Sequence, residues 1–542
     1  MLYYAMHDIG QQFWAPLSGY AKYTANLFSD PLSPFFYLPS ARRIAAGFEL
    51  LHRFGRAYEK PEWGFDEVHI NGKAVKLNIE TTISKPFCKL LHFKREQSKR
   101  PDGDPVVLIV APLAGHNATL LRDTVQTMAS SFDVYVTDWV NAQIVPTSEG
   151  TFDLSDYVQY LLEFIGYLGP NLHIQAVCQA TVPVMGAVSL LASAGKHDQV
   201  KSMILMGGPL DTRLSPGQVN SLATTKSYRW FETQMIHPVP SRYPGAGRLV
   251  YPGFMQHMGF VAMNPDSHLK SVYDYFLDLM RGNEMAAEKH RKFYDEYNAV
   301  IDLTAEFYLE TIKKVFQEFH LPRGIWEVRG QLVEPANIKD TYLMTIEGKF
   351  DDITGLGQTM AAHSMCKQIP LQHQQTYLAE KSGHYGIFSG SRWRNEVFPT
   401  VEAFIEQAQA GQNLRQGFHD SEQLQAALHK THAAQHAANM ADNAIDKTNV
   451  ETETATQASK PSQNTGLTQT ESASATTTRT ADKSQDHDPS VQTVPDSHST
   501  RAQTHPERAG GSSFKSTQKS ASKKSSKSVA KKALKTSHKK PL

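Results

Sequence analysis

The sequence predicts an α/β protein built on a mostly parallel β-sheet. Three observations along the 542-residue chain carry this prediction. Short apolar runs, typical of strands buried on both faces, alternate with helical stretches. An asparagine–glycine hairpin signal precedes most of these runs, and a long helical stretch rich in aromatic rings interrupts them. Together they indicate a sheet covered by helices on both faces, with an antiparallel start and an inserted helical cap.

Length and composition set outer limits on this fold. The chain has room for one large domain with an insertion, or for two domains and a tail. The 55 basic and 54 acidic side chains nearly cancel, so the overall charge indicates no particular partner. Three cysteines are too few for a disulfide scaffold and suit a reducing compartment. The N-terminus lacks a secretory pattern, and no run approaches the ~18 apolar residues of a membrane helix. We therefore expect a cytoplasmic protein.

Residues 1–60 form a predicted helical arm that is rich in aromatic rings. Ser40 is a candidate N-cap for a helix that carries Ile44, Phe48 and Leu51 on one face. The rings of the preceding stretch are Phe13, Trp14, Tyr20, Tyr23, Phe28, Phe35, Phe36 and Tyr37. Two interpretations stay open: an arm packed on the main core, or a face that adsorbs to an apolar surface.

Residues 61–208 hold the first part of the predicted sheet. Asn71-Gly72 is the hairpin signal between the first two strands. The strands predicted here are Glu67 to Ile70, Ala74 to Ile79, Leu90 to Lys94, Val106 to Ala111, Val134 to Thr137, Leu172 to Val177 and Met203 to Met206. A predicted helix over Asp153 to Tyr167 separates two of them. Such alternation favours parallel strands joined by crossovers.

Three further segments complete the predicted organisation. Residues 209–340 are helical and aromatic, and would form a cap over the carboxyl ends of the strands. Residues 341–410 return to the sheet, with strands over Tyr342 to Ile346 and Thr376 to Leu378. Residues 411–542 have the composition of a disordered tail. Its last stretch, Lys515 to Lys540, holds many lysines and no acid, which indicates either a solvated end or a salt-sensitive contact with nucleic acid or another polyanion.

A sharp strand-to-helix turn is predicted at Cys178. The strand Leu172 to Val177 leads into Ala176-Val177-Cys178-Gln179-Ala180, and a helix follows with Pro183 in its first turn and Gly195 near its end. The pattern is that of the G-x-S-x-G nucleophile elbow, with a thiol for the hydroxyl and alanines for the glycines. Small flanking residues are needed because the strand and helix backbones nearly touch there. A buried structural cysteine is the alternative for this residue alone.

An acid and a histidine follow the elbow in the chain order of an α/β hydrolase. Asp351 comes just after the Tyr342 to Ile346 strand, and we prefer it to Asp352 because the turn after Gly348 should aim it inward. His384 lies between glycines on the loop after the last strand. The order nucleophile, acid, base therefore predicts a Cys178–Asp351–His384 triad. It also predicts an α/β-hydrolase fold with an aromatic-rich helical cap and a disordered C-terminal tail.

The triad chemistry requires an oxyanion hole. The backbone N–H of Gln179, next to the nucleophile, is one expected donor. The second should come from the loop after Val106 to Ala111, where Leu113 is the preferred position and Pro112 is excluded because it has no N–H. We expect no metal and no resident cofactor.

Six stretches resemble the intracellular polyhydroxybutyrate depolymerases of bacteria. They are APLAGHNATLLRDTV, VYVTDWVNAQIVP, GTFDLSDYV, AVCQATVPVMGA, EGKFDDITGLGQT and SGHYGIFSGSRWR. The N-terminal MLYYAMHDIGQQFWAPLS and the aromatic cap belong to the same resemblance, which covers roughly residues 1 to 410. It implies a cysteine nucleophile at Cys178, the acid at Asp351 and the base at His384. It also implies cleavage of (R)-3-hydroxybutyrate esters in stored granules, with release of the acyl group to water or to coenzyme A.

Two rival functions remain at this point. A polyhydroxyalkanoate synthase would share the fold and a cysteine nucleophile. The elbow of a chain that resembled the synthases would have glycines rather than alanines two residues before and after the cysteine. A non-catalytic granule-coating protein would use the aromatic arm and basic tail alone, and a complete triad in order argues against it.

Overall fold

A computed structural model of the chain describes residues 2–263 and 265–414. The α-helices of these residues are α1 Leu2–Ser29, α2 Ala41–Gly55, α3 Arg122–Met128, α4 Leu154–Leu168, α5 Thr181–Ser193, α6 Gln218–Thr225, α7 Tyr228–Gln234 and α8 Gly253–Met263. The later ones are α9 Pro265–Arg281, α10 Glu284–Asn298, α11 Ala305–Glu310, α12 His320–Arg323, α13 Ala361–Met365, α14 Gly390–Arg392 and α15 Phe398–Gln409. Two π-helical segments, Thr311–Gln317 and Trp393–Val397, continue α11 and α14.

The strands fall into one large sheet and two small ones. Those before the cap are β1 Glu67–Ile70, β2 Lys73–Ser84, β3 Cys88–Arg95, β4 Val106–Val110, β5 Asp133–Trp139, β6 Leu172–Val177 and β7 Val200–Met206. The short strands of the cap region are β8 His237–Pro238, β9 Leu249–Tyr251, β10 Leu303–Thr304, β11 Glu327–Val328 and β12 Gln331–Leu332. The last two strands of the large sheet are β13 Tyr342–Gly348 and β14 Gln374–Ala379.

The large sheet has the α/β-hydrolase arrangement. Among the described residues its nine strands lie in the order β1-β2-β3-β5-β4-β6-β7-β13-β14. Strands β1, β2, β3 and β5 pair antiparallel, whereas β5 and all strands beyond it pair parallel. The carboxyl ends of the parallel strands therefore meet at one edge, where loops can bring distant residues together. The predicted fold class is confirmed.

Local sequence explains the elements of this sheet. In the first hairpin Ile70 pairs with Lys73, and both Asn71 and Gly72 have positive φ, as a two-residue turn of this kind requires. Strand β4, Val106–Val110, is apolar throughout and buried from Val107 onward, as expected of a strand covered on both faces. Strand β6 is buried at every position although it includes His173 and Gln175. The predicted strands all exist. Six of the nine extend further by one to five residues at one or both ends, because backbone pairing continues past the apolar run that reveals a strand, and β4 ends at Val110, one residue before the predicted Ala111.

Between β7 and β13 the chain forms the helices α6 to α12 and the short strands, and before β1 it forms the arm helices α1 and α2. In α2 the predicted face of Ile44, Phe48 and Leu51 is only half-buried, while Ala41 and its neighbours on the adjoining face are buried. Small residues take the interior side because α2 packs closely against α1. The limits predicted for the arm, the cap and the two parts of the core stay predictions. The predicted disordered tail and its basic end lie outside the described residues.

None of the helices in the described ranges combines the length and the apolar character that crossing a bilayer would need.

Candidate active site

The elbow at Cys178 is a strained turn, as the sequence pattern predicts. Cys178 has φ +55, a left-handed conformation that costs a residue with a side chain roughly 1–3 kcal/mol. It opens a 3₁₀ turn, Cys178–Ala180, that continues into α5. The hydroxyl of Thr181 donates a hydrogen bond to the Cys178 carbonyl over 2.9 Å and so closes the turn. The thiol is left partly exposed at the tip, while Cys88 and Cys366 are buried.

Space for this turn is provided by two glycines at the end of the neighbouring strand β7. Ala176 and Ala180 are fully buried, as the need for small flanking residues implies. The neighbouring β7 ends in Gly207-Gly208, and a Cβ on Gly208 would lie 1.8 Å from Oγ1 of Thr181. A Cβ on Gly207 would lie 3.2 Å from the His384 ring. These glycines, which sequence reasoning missed, provide the close approach at the elbow; a glycine pair directly after an apolar strand was the available signal.

Asp351 lies on the loop after β13 and is held by that loop. Its Oδ1 accepts the backbone N–H groups of Ile353 at 2.9 Å and Thr354 at 2.8 Å. Its Oδ2 lies 2.7 Å from Nδ1 of His384, and both side chains are almost wholly buried. Because a carboxylate only accepts, this contact assigns the Nδ1 proton to the histidine. The acid is thus oriented before any substrate binds.

Glu347 braces the same loop and was not singled out from the sequence. Its carboxylate accepts backbone N–H groups from Gly357 at 2.8 Å, Thr359 at 2.8 Å and Met360 at 2.9 Å. Burial raises the pKa of Glu347, and the three N–H groups act against that rise. A buried carboxylate with three donors ties the end of β13 to the segment that follows Asp351.

His384 connects the acid to the thiol. Its imidazole hydrogen-bonds to Cys178 as well as to Asp351. Burial by itself would lower the pKa of His384, but the charges of Cys178 and Asp351 and its hydrogen bonds to them raise that pKa well above the ordinary value. The raised pKa makes the His384 imidazole a stronger base toward the neighbouring Cys178. The structure therefore brings the three predicted triad side chains into one hydrogen-bonded row.

The two predicted oxyanion donors are Gln179, on the elbow turn, and Leu113, on a loop that starts beside the elbow. Gln179 is the second residue of the elbow turn. Val110, the last residue of β4, pairs with Ala176 on β6, so the loop that contains Leu113 starts beside the elbow. Ile301 donates its N–H to the Gly115 carbonyl at 2.7 Å, and this contact ties that loop to the cap region. The placement suits both N–H groups to an oxyanion, and their role stays a prediction.

The expectation that the protein binds no metal stays a prediction. Within residues 2–263 and 265–414, no three His, Cys, Asp or Glu side chains are grouped so that they could hold an ion. Two histidines outside the triad have structural partners. Nδ1 of His173 lies 2.7 Å from the Ser202 hydroxyl, and Nδ1 of His363 lies 2.7 Å from the Gln374 amide oxygen.

Residues 207–409 match the family described as "PHB de-polymerase C-terminus". The sheet topology and this match together support an ester hydrolase of the α/β-hydrolase class. The resemblance predicted from the motifs is thereby confirmed. The matched range includes Asp351 and His384 but not Cys178, so the match does not bear on the nucleophile. No curated protein sequence matches the chain significantly.

Several solved structures are similar at low sequence identity. A 2-hydroxy-6-oxo-6-phenylhexa-2,4-dienoate hydrolase from Rhodococcus sp. strain RHA1 is 14% identical, with 61% of this chain and 99% of that one covered, at a TM-score of 0.36. A soluble variant of monoglyceride lipase from Saccharomyces cerevisiae is 12% identical (64% and 99% covered, TM-score 0.37). An esterase from Thermogutta terrifontis is 10% identical (63% and 98% covered, TM-score 0.32). The substrates of these enzymes do not identify the substrate of this chain.

Proposed function

We propose that this protein depolymerises stored polyhydroxybutyrate by cleaving (R)-3-hydroxybutyrate ester bonds through a thioester on Cys178. One observation carries the proposal: the segment that matches the depolymerase family supplies an acid and a base that join a cysteine on a strained elbow. The family match supports the substrate class, and the row of three side chains supports the chemistry.

Acylation follows from the positions of the three side chains. His384 takes the Cys178 proton, and Asp351 holds the imidazole in the required tautomer. The thiolate attacks an ester carbonyl, and the N–H groups of Gln179 and Leu113 receive the oxyanion. The C–O bond breaks, and the leaving alcohol takes the proton from His384. Cys178 then carries the acyl group as a thioester.

Deacylation needs an acceptor that gives up one proton to His384. With water as acceptor, its oxygen attacks the thioester, the C–S bond breaks, and the acid and the free thiol are released. With the thiol of coenzyme A as acceptor, the product is an acyl thioester, and the exchange is close to isoenergetic. Both acceptors belong to the proposal, and analysis of products formed with and without coenzyme A distinguishes them.

Association with the polymer surface is proposed for the exposed face of α1. This face includes Ile9, 65% exposed, and Phe13, 75% exposed. Of the two charged side chains in α1, Asp8 is buried and Lys22 is exposed. Helices that lie on anionic membranes carry a Lys/Arg-rich face, which α1 lacks. Its uncharged rings suit the neutral, apolar surface of a polyester granule instead.

The decisive experiment uses native amorphous granules. We expect wild-type protein to release soluble 3-hydroxybutyrate or its thioester, and Cys178→Ala to release neither. Cys366→Ala is the matched control, because Cys366 is a buried cysteine outside the site. Equal release by wild type and Cys178→Ala would instead favour a coating protein, and polymer growth from an acyl-coenzyme A would favour a synthase. The depolymerase-family match favours cleavage over synthesis.

A further inference from the structure

A cavity of about 680 Å³ lies between the N-terminal arm and the cap. Helices α1 and α2 form one wall and α8 to α10 form the other, and Cys178, Asp351 and His384 are not among its lining residues. Its volume is within the range of sites that bind small molecules. This cavity is therefore separate from the triad, and the ester chemistry does not by itself account for it.

The lining of this arm–cap cavity combines apolar side chains with hydrogen-bond donors. Leu50, Val261 and Val272 give it apolar surface, and Arg56 and Asn298 provide N–H groups. A hydroxyalkanoate chain has the complementary chemistry. Its ester oxygens accept hydrogen bonds, its side groups are apolar, and it has no N–H of its own. The two carboxylates of the lining are already paired, Asp8 with Arg242 and Asp302 with the Tyr4 hydroxyl. A lining that places donors beside apolar surface therefore fits such a chain better than a purely hydrocarbon ligand.

Two cavity histidines have ring nitrogens that lack partners within the described part of the chain. Both nitrogens of His290 and Nε2 of His257 are shielded from solvent and make no hydrogen bond. The ring of His290 stacks at 4.2 Å on Tyr275 and at 4.4 Å on Tyr294, which holds it in place. Burial, with the charges of Arg53 and Arg291, lowers the pKa of His290 to about 4. Buried polar atoms without partners are rare and costly, so these nitrogens are candidate contacts for a ligand in the cavity.

Arg56 gives the cavity a cation whose N–H groups can donate hydrogen bonds to a ligand. Its guanidinium lies 4.4 Å above the Tyr58 ring, a stacking that leaves the in-plane N–H groups available. Its ion-pair partner Asp295 is 3.6 Å away, and Arg53 already holds that carboxylate at 2.6 Å. A guanidinium group with accessible in-plane N–H groups can bind a carboxylate through two parallel hydrogen bonds. A hydroxyacid oligomer carries one such carboxylate at its end.

A thin layer of rings separates the cavity from the reaction site. His257, on the cavity wall, lies 5.6 Å from the Tyr297 ring. That ring lies 6.3 Å from Tyr385, which lies 5.8 Å from the His384 ring. Two tyrosines thus stand between the cavity and the catalytic base. A ligand in the cavity is close enough to belong to the same reaction as substrate or product.

We propose that the arm–cap cavity binds a short 3-hydroxyalkanoate oligoester, with its free carboxylate on the guanidinium of Arg56. The proposal rests on the proposed function for the identity of the oligomer. It adds a binding site outside the triad and a preference for the carboxylate end of the chain. Fragments that end in a carboxylate are what cleavage of such a polyester releases.

Binding is tested on the full-length Cys178→Ala protein, which cannot consume the ligand. The probes are the linear trimer of (R)-3-hydroxybutyrate and its methyl ester, titrated by calorimetry. We expect the acid to bind at least about tenfold more tightly than the ester, since the ester cannot form the charge-assisted pair. Adding Arg56→Gln should abolish this difference. Arg43→Gln, on the exposed side of α2 and away from the cavity lining, should leave it intact.

A second variant tests the place of binding. Val272→Trp should fill the cavity and abolish trimer binding while thermal unfolding stays cooperative. Equal affinity for acid and ester, trimer binding unchanged by Arg56→Gln, or binding of coenzyme A but not of the trimer would each overturn the proposal. These titrations need no turnover. If the wild-type protein fails to hydrolyse granules, the proposed function alone is contradicted. If the preference for the carboxylate is absent, only the cavity assignment is contradicted.

Discussion

Helices α5 and α1 are both rich in apolar side chains, yet they lie in opposite surroundings. In α5 every residue from Thr181 to Ala192 is buried, between the sheet on one side and α4 and Trp326 on the other. In α1 much of one face, including Met6, Ile9 and Phe13, is exposed. An apolar helix is buried only where neighbouring elements cover it on all sides. The exposed face of α1 is not needed for the packed core, and this difference makes it the candidate surface for the polymer.

The largest effect should come from the site at the start of α5. Asp351→Asn should lower kcat on a soluble ester on the order of 10³-fold or more, because the wrong histidine tautomer is then favoured. Asp352→Asn is the matched control and should change kcat by less than about tenfold. Steady-state kinetics measure both. A larger loss for Asp352→Asn would show that the wrong carboxylate has been assigned.

Glycine substitutions compare the packing of the two helices. A Cβ on Gly186 of α5 would lie 2.7 Å from the Trp326 indole, whereas one on Gly19 of α1 would meet nothing within 4 Å. We expect Gly186→Ala to lower the free energy of unfolding by about 1–3 kcal/mol through overpacking. Gly19→Ala should raise it by about 0.5–1 kcal/mol. Urea denaturation gives both values, and equal effects would contradict the contrast between the helices.

Polar substitutions on α1 test its surface role. The double variant Ile9→Ser/Phe13→Ser removes two exposed apolar side chains four residues apart on one face. We expect granule affinity to fall about tenfold or more, since apolar area is no longer buried on the polymer. Tyr167→Ser, on the exposed side of α4, is the control. Granule sedimentation measures binding, and unchanged affinity in the double variant would remove α1 from the binding surface.

The smallest expected effect is a pH dependence of the protein's stability that arises from the triad. His384 has a raised pKa in the folded protein, so its pairing stabilises the fold fully below its ordinary pKa of about 6.5. That contribution disappears as the pH rises through the folded pKa. The stability lost in Asp351→Asn, on the order of 1 kcal/mol, should therefore shrink toward alkaline pH. The Ile9→Ser/Phe13→Ser variant should show no such trend. A stability difference between wild type and Asp351→Asn that grew with pH would contradict the raised pKa of His384.

Patterns of residue type revealed most of the fold and the order of the site. The unbroken apolar run of β4 and the Asn71-Gly72 turn signal depend on neighbours along the chain, which a sequence displays directly. The elbow at Cys178 is also local, because strand, turn and helix follow one another. Contacts between separate segments are harder to predict. The glycine pair after β7 is visible in the sequence, but its closeness to Thr181 depends on two strand ends lying side by side. The Glu347 brace depends on how the loop after β13 folds back on the end of that strand.

By itself the sequence determined which residues could react: one cysteine at a strand-to-helix turn, followed by an acid and a histidine past later strands. These features are local, and backbone sterics and side-chain chemistry dictate them without reference to the rest of the chain. Only the tertiary structure decided that Asp351 and His384 meet Cys178, that α1 keeps its rings exposed, and that a cavity separates arm from cap. Each of these depends on which surfaces remain after all the elements have packed, and packing is a property of the whole chain.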